Sequence, residues 1–146
     1  MANYFLRPAI EADFPKIKAL IRKSRINPTK LEWRRFTVAE FEGDMIGCAQ
    51  LKPVPGGLTE LASLAVQPAH RHQGIARVLI EHLLKDAPRP VYLTCRSVLG
   101  ELYEKFGFRA LGTDEMPRYY QRLQRLAGLF MELTRRNESL LVMKLG

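Results

Sequence analysis

The sequence predicts an α/β fold, a mixed sheet covered on both faces by helices. Three observations predict it. Hydrophobic spacing switches between strand-like and helix-like periods, in the order β-α-β-β-β-α-β-α-β-α-β. The chain has 146 residues, 47% hydrophobic and 26% charged, which is enough for one core and too short for two. Turn signals stand at the joints, at Asn27-Pro28, Glu42-Gly43-Asp44, Pro55-Gly56-Gly57, Pro88 and Pro90. A single domain spanning 1–146 is expected.

Each element has its own warrant. Tyr4–Pro8 reads as a short strand. Asp13–Ser24 reads as a helix, because Phe14, Ile17, Leu20 and Ile21 share one face while Lys16, Lys18, Arg22 and Lys23 take the wet faces. Arg35–Phe41 and Met45–Pro53 form a hairpin about Glu42-Gly43-Asp44. Leu58–Val66 is apolar enough for a buried strand. After Pro68 the spacing of Ile75, Val78, Leu79, His82 and Leu83 is that of a helix, which places His82 as a packed helix residue. Val91–Cys95 is another buried strand. Leu99, Leu102, Tyr103 and Phe106 give a second amphipathic helix, closed by Gly107. Phe108–Leu111 is a short strand. Pro117 opens a third helix whose shared face is Tyr119, Leu123, Leu126, Ala127 and Phe130. Leu140–Leu145 ends the chain as a strand.

Composition excludes several classes. Two cysteines and no signal peptide exclude a disulfide scaffold. No apolar run approaches the ~18 residues that span a membrane. A soluble cytoplasmic protein with Cys48 and Cys95 as reduced thiols is expected. The net charge is +8, unevenly spread, and residues 14–36 alone carry eight basic side chains against Glu32. Such clusters attract anions: phosphorylated cofactors, acidic metabolites or nucleic acid.

The chemistry lies between Glu60 and Arg77. A buried strand ends at Val66, a loop turns, and a helix starts at Gly74. The first amides of a helix have no intrahelical partners and sit at the positive end of its dipole. Arg71-x-x-Gly74-x-Ala76 supplies small residues where backbone must approach a ligand, and Arg71, His72 and Arg77 add donors or charge. A diphosphate fits such a site.

Arg71-His72-Gln73-Gly74-Ile75-Ala76 resembles the Q/R-x-x-G-x-G/A pyrophosphate loop of the GNAT superfamily of acyl-CoA-dependent N-acyltransferases. Leu102-Tyr103-Glu104-Lys105-Phe106-Gly107-Phe108 resembles that superfamily's Tyr-Glu-Lys-x-Gly-Phe segment. The resemblance covers nearly the whole chain in element order. It implies a GNAT-like single domain with a mostly antiparallel sheet of about seven strands, splayed by a bulge between the fourth and fifth. It implies acetyl-CoA as cosubstrate and no metal. Main-chain groups of Leu64, Ala65 and Val66 would bond the pantetheine arm. The amides of Arg71, His72, Gln73, Gly74, Ile75 and Ala76, with Arg77, would hold the pyrophosphate. A fourth-strand N–H would stabilise the oxyanion.

N-acylation needs a neutral amine, and a lysine-like amine is only about one part in a thousand neutral at pH 7.4. A base is therefore useful. Glu60, six residues before Val66, stands where some family members place a catalytic glutamate. Six residues keep two side chains on one strand face unless a bulge intervenes. The other reading of Glu60 is a strand-end carboxylate paired with an arginine or water. Tyr103 is the candidate acid for the leaving thiolate, or else a core tyrosine. Cys95 lies in an apolar run and reads as a buried, inert thiol. His70, His72 and His82 have no metal-ligand spacing.

The sequence departs from the family at two places. Arg96, followed by Ser97, stands where members often carry a cofactor-contacting Asn, which leaves Ser97 as the polar candidate there. An aromatic-basic helix within 117–136 replaces a short hairpin. It either lines the acceptor site, forms a homodimer surface, or simply packs. Trp33, Arg34 and Arg35 flank the acceptor groove that the resemblance implies. The expected activity is acetyl transfer to a primary amine, on a small molecule or a peptide, by direct attack in a ternary complex. The alternatives are a non-catalytic acyl-CoA-binding regulator of the same fold and a basic nucleic-acid-binding protein. Nucleic acid is disfavoured because no recognition motif is present. Basic charge favours acidic or neutral acceptors over polyamines.

Overall fold

The computed structural model describes residues 3–134 and 139–146. The elements are β1 (Tyr4–Pro8), α1 (Phe14–Lys23), β2 (Phe36–Phe41), β3 (Asp44–Val54), β4 (Leu58–Val66), α2 (Ile75–Lys85), β5 (Val91–Arg96), α3 (Gly100–Glu104), β6 (Arg109–Ala110), α4 (Arg118–Thr134) and β7 (Leu140–Leu145). This is the predicted order. The strands form a seven-stranded sheet in the order β1-β2-β3-β4-β5-β7-β6. The β1–β2, β2–β3, β5–β7 and β6–β7 pairs are antiparallel. The β4–β5 pair is parallel, at Thr59↔Val91 and Glu60↔Tyr92.

The chain divides into two compact units, Met1–Lys52 with Leu61–Ala87, and Pro53–Glu60 with Pro88–Gly146. In the first, α1 and α2 cover opposite faces of the strands. Ile17, Leu20 and Ile21 of α1 pack with Val38, Cys48 and Ala65. Their immediate neighbours in sequence, Ala39, Ala49 and Val66, pack with Ile75 and Leu79 of α2. That alternation is the period-two strand pattern expressed as two half-cores. Fully burying one Leu or Ile contributes about 1.5–3 kcal/mol, so the three α1 side chains anchor that helix. Gly47 lets β3 approach α2 closely, since a Cβ there would lie 3.2 Å from Ile75 Cγ2 and 3.3 Å from the Ala65 carbonyl.

In the second unit Tyr92, Leu111, Met116, Tyr120 and Val142 form the core with Val54. Gln124 ties α4 to β7 by donating from Nε2 to the Leu140 carbonyl at 3.1 Å.

Several expectations need correction. On α2 the buried residues are Ile75, Leu79, Ile80 and Leu84, while Val78 and His82 are exposed. His82 is not a packed histidine. The helix has apolar residues over a wide arc, so spacing alone left its rotation open. The helix read at 99–106 is shorter, a 3-10 turn at Ser97–Leu99 running into five residues of α3, with Leu102 exposed. The strand read at Phe108–Leu111 narrows to Arg109–Ala110. On α4 Leu126 is exposed, Tyr120 takes the buried place, and the Phe130 side chain lies outside the described residues. No described helix is long and apolar enough to cross a membrane.

Candidate active site

β4 is interrupted before its end. Ser63 lies in the left-handed region at φ 59° although it is not glycine, and it is buried. Such a residue persists only where its surroundings hold it. Here Gln50 Nε2 donates to Ser63 Oγ at 2.8 Å, and Cys48 Sγ donates to the Ser63 carbonyl at 3.6 Å. The break falls between Glu60 and Val66, so the six-residue parity does not carry from one to the other. Regular alternation resumes after it, with Leu64 and Val66 toward α2 and Ala65 toward α1.

After Val66 the chain turns through a 3-10 helix, Pro68–His70. Arg71 folds back and donates from Nε to the Val66 carbonyl at 3.2 Å. This fixes the loop to the end of β4. His72 and Gly74 both take left-handed conformations, at φ 64° and 81°. Successive backbone reversals of this kind turn N–H groups toward one concavity. No side chain caps α2 at Gly74, and the first bond of the helix is Val78 N to the Gly74 carbonyl at 3.1 Å. A Cβ at Gly74 would meet nothing within 4 Å, so the space over the helix start is open. Arg71, His72, Gln73 and Arg77 are exposed, Ala76 is half-buried and Ile75 is buried. Arg77 is engaged with Glu81 at 2.8 Å. Loop amides, strand backbone and Arg71 are therefore assembled in one place, and they can hold a diphosphate.

Glu60 is 5% exposed and accepts a hydrogen bond from the Tyr120 hydroxyl at 2.7 Å. The sequence reading offered an arginine or water as its partner, and the structure adds a phenol from α4. Tyr120 is itself fully buried, stacked on Tyr92 at 5.3 Å between ring centroids, with Tyr119 edge-on at 5.0 Å. Burial, then the Glu60 charge, pushes the Tyr120 phenol far above its ordinary range, so it stays protonated and donates. Tyr119 is raised by the same two causes. Sequence reasoning names Tyr120 only as part of the aromatic-basic helix and does not pair it with Glu60. Helical spacing selects Tyr119, which packs on the same core at its edge, while Tyr120 takes the centre.

Tyr103 lies on α3, half-buried, edge-on to Phe108 at 6.3 Å. Among the described residues its hydroxyl has no hydrogen-bond partner. Burial, and secondarily Cys95, pushes its pKa up to about 12. A core tyrosine would have a partner for that hydroxyl. Cys95 is buried and its thiol is pushed up to about 11 by burial, which matches an inert thiol. Ser97 is used by the fold: its Oγ accepts from Ser139 N at 3.3 Å and its N–H donates to the Ser139 carbonyl at 2.8 Å. Arg34 lies over the Trp33 ring at 4.6 Å and pairs with Glu32 at 2.9 Å. Among the described residues no group of three His, Cys, Asp or Glu side chains is placed to hold a metal ion.

Residues 4–108 match the family described as "Acetyltransferase (GNAT) family". Curated relatives include the amino-acid acetyltransferase of Neisseria meningitidis serogroup A, 30% identical over 126 residues, covering 77% of this chain and 29% of the relative. The Pseudomonas putida amino-acid acetyltransferase is 35% identical over 103 residues, covering 67% of this chain and 23% of the relative. The chain thus spans less than a third of the length of these relatives. Among solved structures, N-acetylglutamate synthase from Neisseria gonorrhoeae, complexed with coenzyme A and N-acetyl-glutamate, superposes with a TM-score of 0.75. It is 26% identical, covering 100% of this chain and 36% of that one.

Proposed function

Because this chain belongs to the acetyltransferase (GNAT) family, we propose that it transfers the acetyl group of acetyl-CoA to the α-amine of an amino acid, by direct attack in a ternary complex. Residues 1–146 act as one catalytic domain. The observation that carries the reading is the loop from Arg71 to Arg77, with left-handed His72 and Gly74 and an uncapped helix start. Amino-acid acceptors are supported by the names of the relatives and by the N-acetyl-glutamate bound in the Neisseria gonorrhoeae structure. A net charge of +8 favours an acidic amino acid such as glutamate among them.

The roles follow from the chemistry. Leu64, Ala65 and Val66 offer backbone groups to the pantetheine arm. The amides of 71–76 hold the diphosphate, with Arg71, His72 and Arg77 adding donors. Ser97, already bonded to Ser139, has a lone pair left for a cofactor contact. Glu60 accepts the proton that the substrate ammonium must lose. The freed amine attacks the thioester carbonyl, the C–S bond breaks, and Tyr103 gives its proton to the departing thiolate. The new amide nitrogen still carries one surplus proton, which restores the Tyr103 phenol, and Glu60 releases the proton it took to solvent. Tyr103, its pKa pushed up to about 12, keeps its proton until the thiolate leaves, as an acid in direct attack must.

Calorimetric titration of acetyl-CoA and CoA into the protein, repeated with Gly74→Asp, tests the site. Binding near 1 μM, about −8 kcal/mol, is expected, and it should be lost when a carboxylate stands over the helix start. An amino-acid screen with Glu60→Gln and Tyr103→Phe then tests the chemistry. CoA binding with no turnover of any amine would favour the non-catalytic acyl-CoA-binding role. No binding would overturn both.

A further inference from the structure

We propose that Tyr120 is a positioning residue for the base, holding the Glu60 carboxylate in one orientation through the bond from its hydroxyl. This rests on the assignment of Glu60 as base. It adds a residue from α4, which lies outside the 4–108 segment that matches the family.

The geometry is that of a built support. A carboxylate that is 5% exposed has little water left to orient it. A donor at 2.7 Å to Oε1 orients it instead, and hydrogen bonds to carboxylates are short and strong. The donor is itself immobile. The Tyr120 ring is fully buried, stacked on Tyr92, the register partner of Glu60 on β5. Its backbone N–H donates to the Pro117 carbonyl at 3.0 Å, in the first turn of α4. Gln121 pins the same turn to the Thr113 carbonyl at 3.0 Å. The other titratable groups on this side are Tyr119, also on α4, and Tyr92. Lys144 lies over the Tyr92 ring at 6.0 Å, and β3, beside β4, carries the buried Lys52. None of these changes in the Tyr120→Phe variant, which removes one oxygen and keeps the stacked ring.

The test compares the protein with Tyr120→Phe by two readouts. One is the split between kcat and KM with acetyl-CoA and glutamate. The other is the carbon NMR signal of the Glu60 carboxyl, assigned with Glu60→Gln, which needs no activity. Removing the donor should displace the Glu60 carboxyl signal. kcat should fall about tenfold, with KM for acetyl-CoA within about twofold. Replacing Tyr120 by 3-fluorotyrosine, a stronger hydrogen-bond donor of nearly the same shape, should displace the signal in the opposite sense, and it covers the case in which Tyr120→Phe misfolds. An unmoved Glu60 signal in both variants overturns the proposal while leaving the base role standing. Wild-type kcat in Glu60→Gln overturns the base role, and the proposal with it.

Discussion

Gln50 and Ser63 hold each other across β3 and β4 in a pairing that serves a strained residue. The Gln50 amide donates to Ser63 Oγ at 2.8 Å, while its own Oε1 is buried without a partner among the described residues. Ser63 occupies the left-handed region, which costs a non-glycine residue about 1–2 kcal/mol. Ser63→Gly relieves that cost and leaves the Gln50 amide unbonded in the core, at a cost of about 1–3 kcal/mol. The two effects nearly cancel. Adding Gln50→Met to Ser63→Gly removes the buried amide as well. The double variant is expected to be about 1–2 kcal/mol more stable to urea than Ser63→Gly alone. Equal stability would show that the Gln50 side chain finds another partner once Ser63 is gone.

Gly74 separates backbone conformation from charge at the helix start. Its φ is 81° and a Cβ would meet no atom within 4 Å. Only the left-handed conformation penalises a side chain there. Gly74→Ala should therefore cost about 1–2 kcal/mol, and Gly74→Asn, which tolerates that conformation, should cost less. Both are neutral, so neither places a charge against a diphosphate. Thermal unfolding of the two variants checks the order, and calorimetry checks that Asn weakens CoA binding less than Asp does.

Tyr103 differs from the buried Tyr120. The Tyr120 hydroxyl donates a hydrogen bond to Glu60, whereas the Tyr103 hydroxyl has no partner among the described residues. Among the described residues Tyr103→Phe breaks no hydrogen bond, and stability should stay within about 0.5 kcal/mol. kcat should fall about a hundredfold if the hydroxyl protonates the leaving thiolate. With its pKa pushed up to about 12, Tyr103 stays protonated well above neutral pH, so any basic limb of the rate profile below pH ~10 should survive in Tyr103→Phe. A limb that disappears with the hydroxyl would contradict the elevated pKa.

The legible parts of the molecule are those with local causes. The strand from Leu58, the loop at Gly74 and the helix from Ile75 were readable because glycine, proline and apolar period act within a few residues. The order of elements was readable for the same reason. What escaped depends on neighbours distant in sequence. Seven apolar side chains between Ile75 and Leu84 leave the rotation of α2 undetermined until β2 and β3 pack against it, hence the misplacing of Val78 and His82. On α4 a one-residue change of face separates Tyr119 from Tyr120, and the choice is made by Glu60, sixty positions earlier. The left-handed Ser63 has no local signature either, since its support comes from Gln50 on another strand.

The Arg7 and Asp13 pair gives a pH dependence with a determined sign. Arg7 donates from both terminal nitrogens to Asp13, at 2.7 and 2.9 Å, and from Nε to Glu40 at 2.9 Å. Asp13 also accepts from the Ile10 backbone at 2.7 Å and is 5% exposed. The Arg7 hydrogen bond, more than any other cause, holds the Asp13 carboxyl below its ordinary value of 3.8. A carboxyl with a lowered folded pKa binds fewer protons folded than unfolded. Its stabilisation is complete above the unfolded value and is lost as pH falls through the folded one. Asp13→Asn should therefore cost about 2 kcal/mol at pH 7, and the gap to wild type should narrow as the pH is lowered below about 4. Urea unfolding of both proteins at pH 7 and in acid measures the gap, and a gap that stays constant would show that the pair stabilises the fold without its charge.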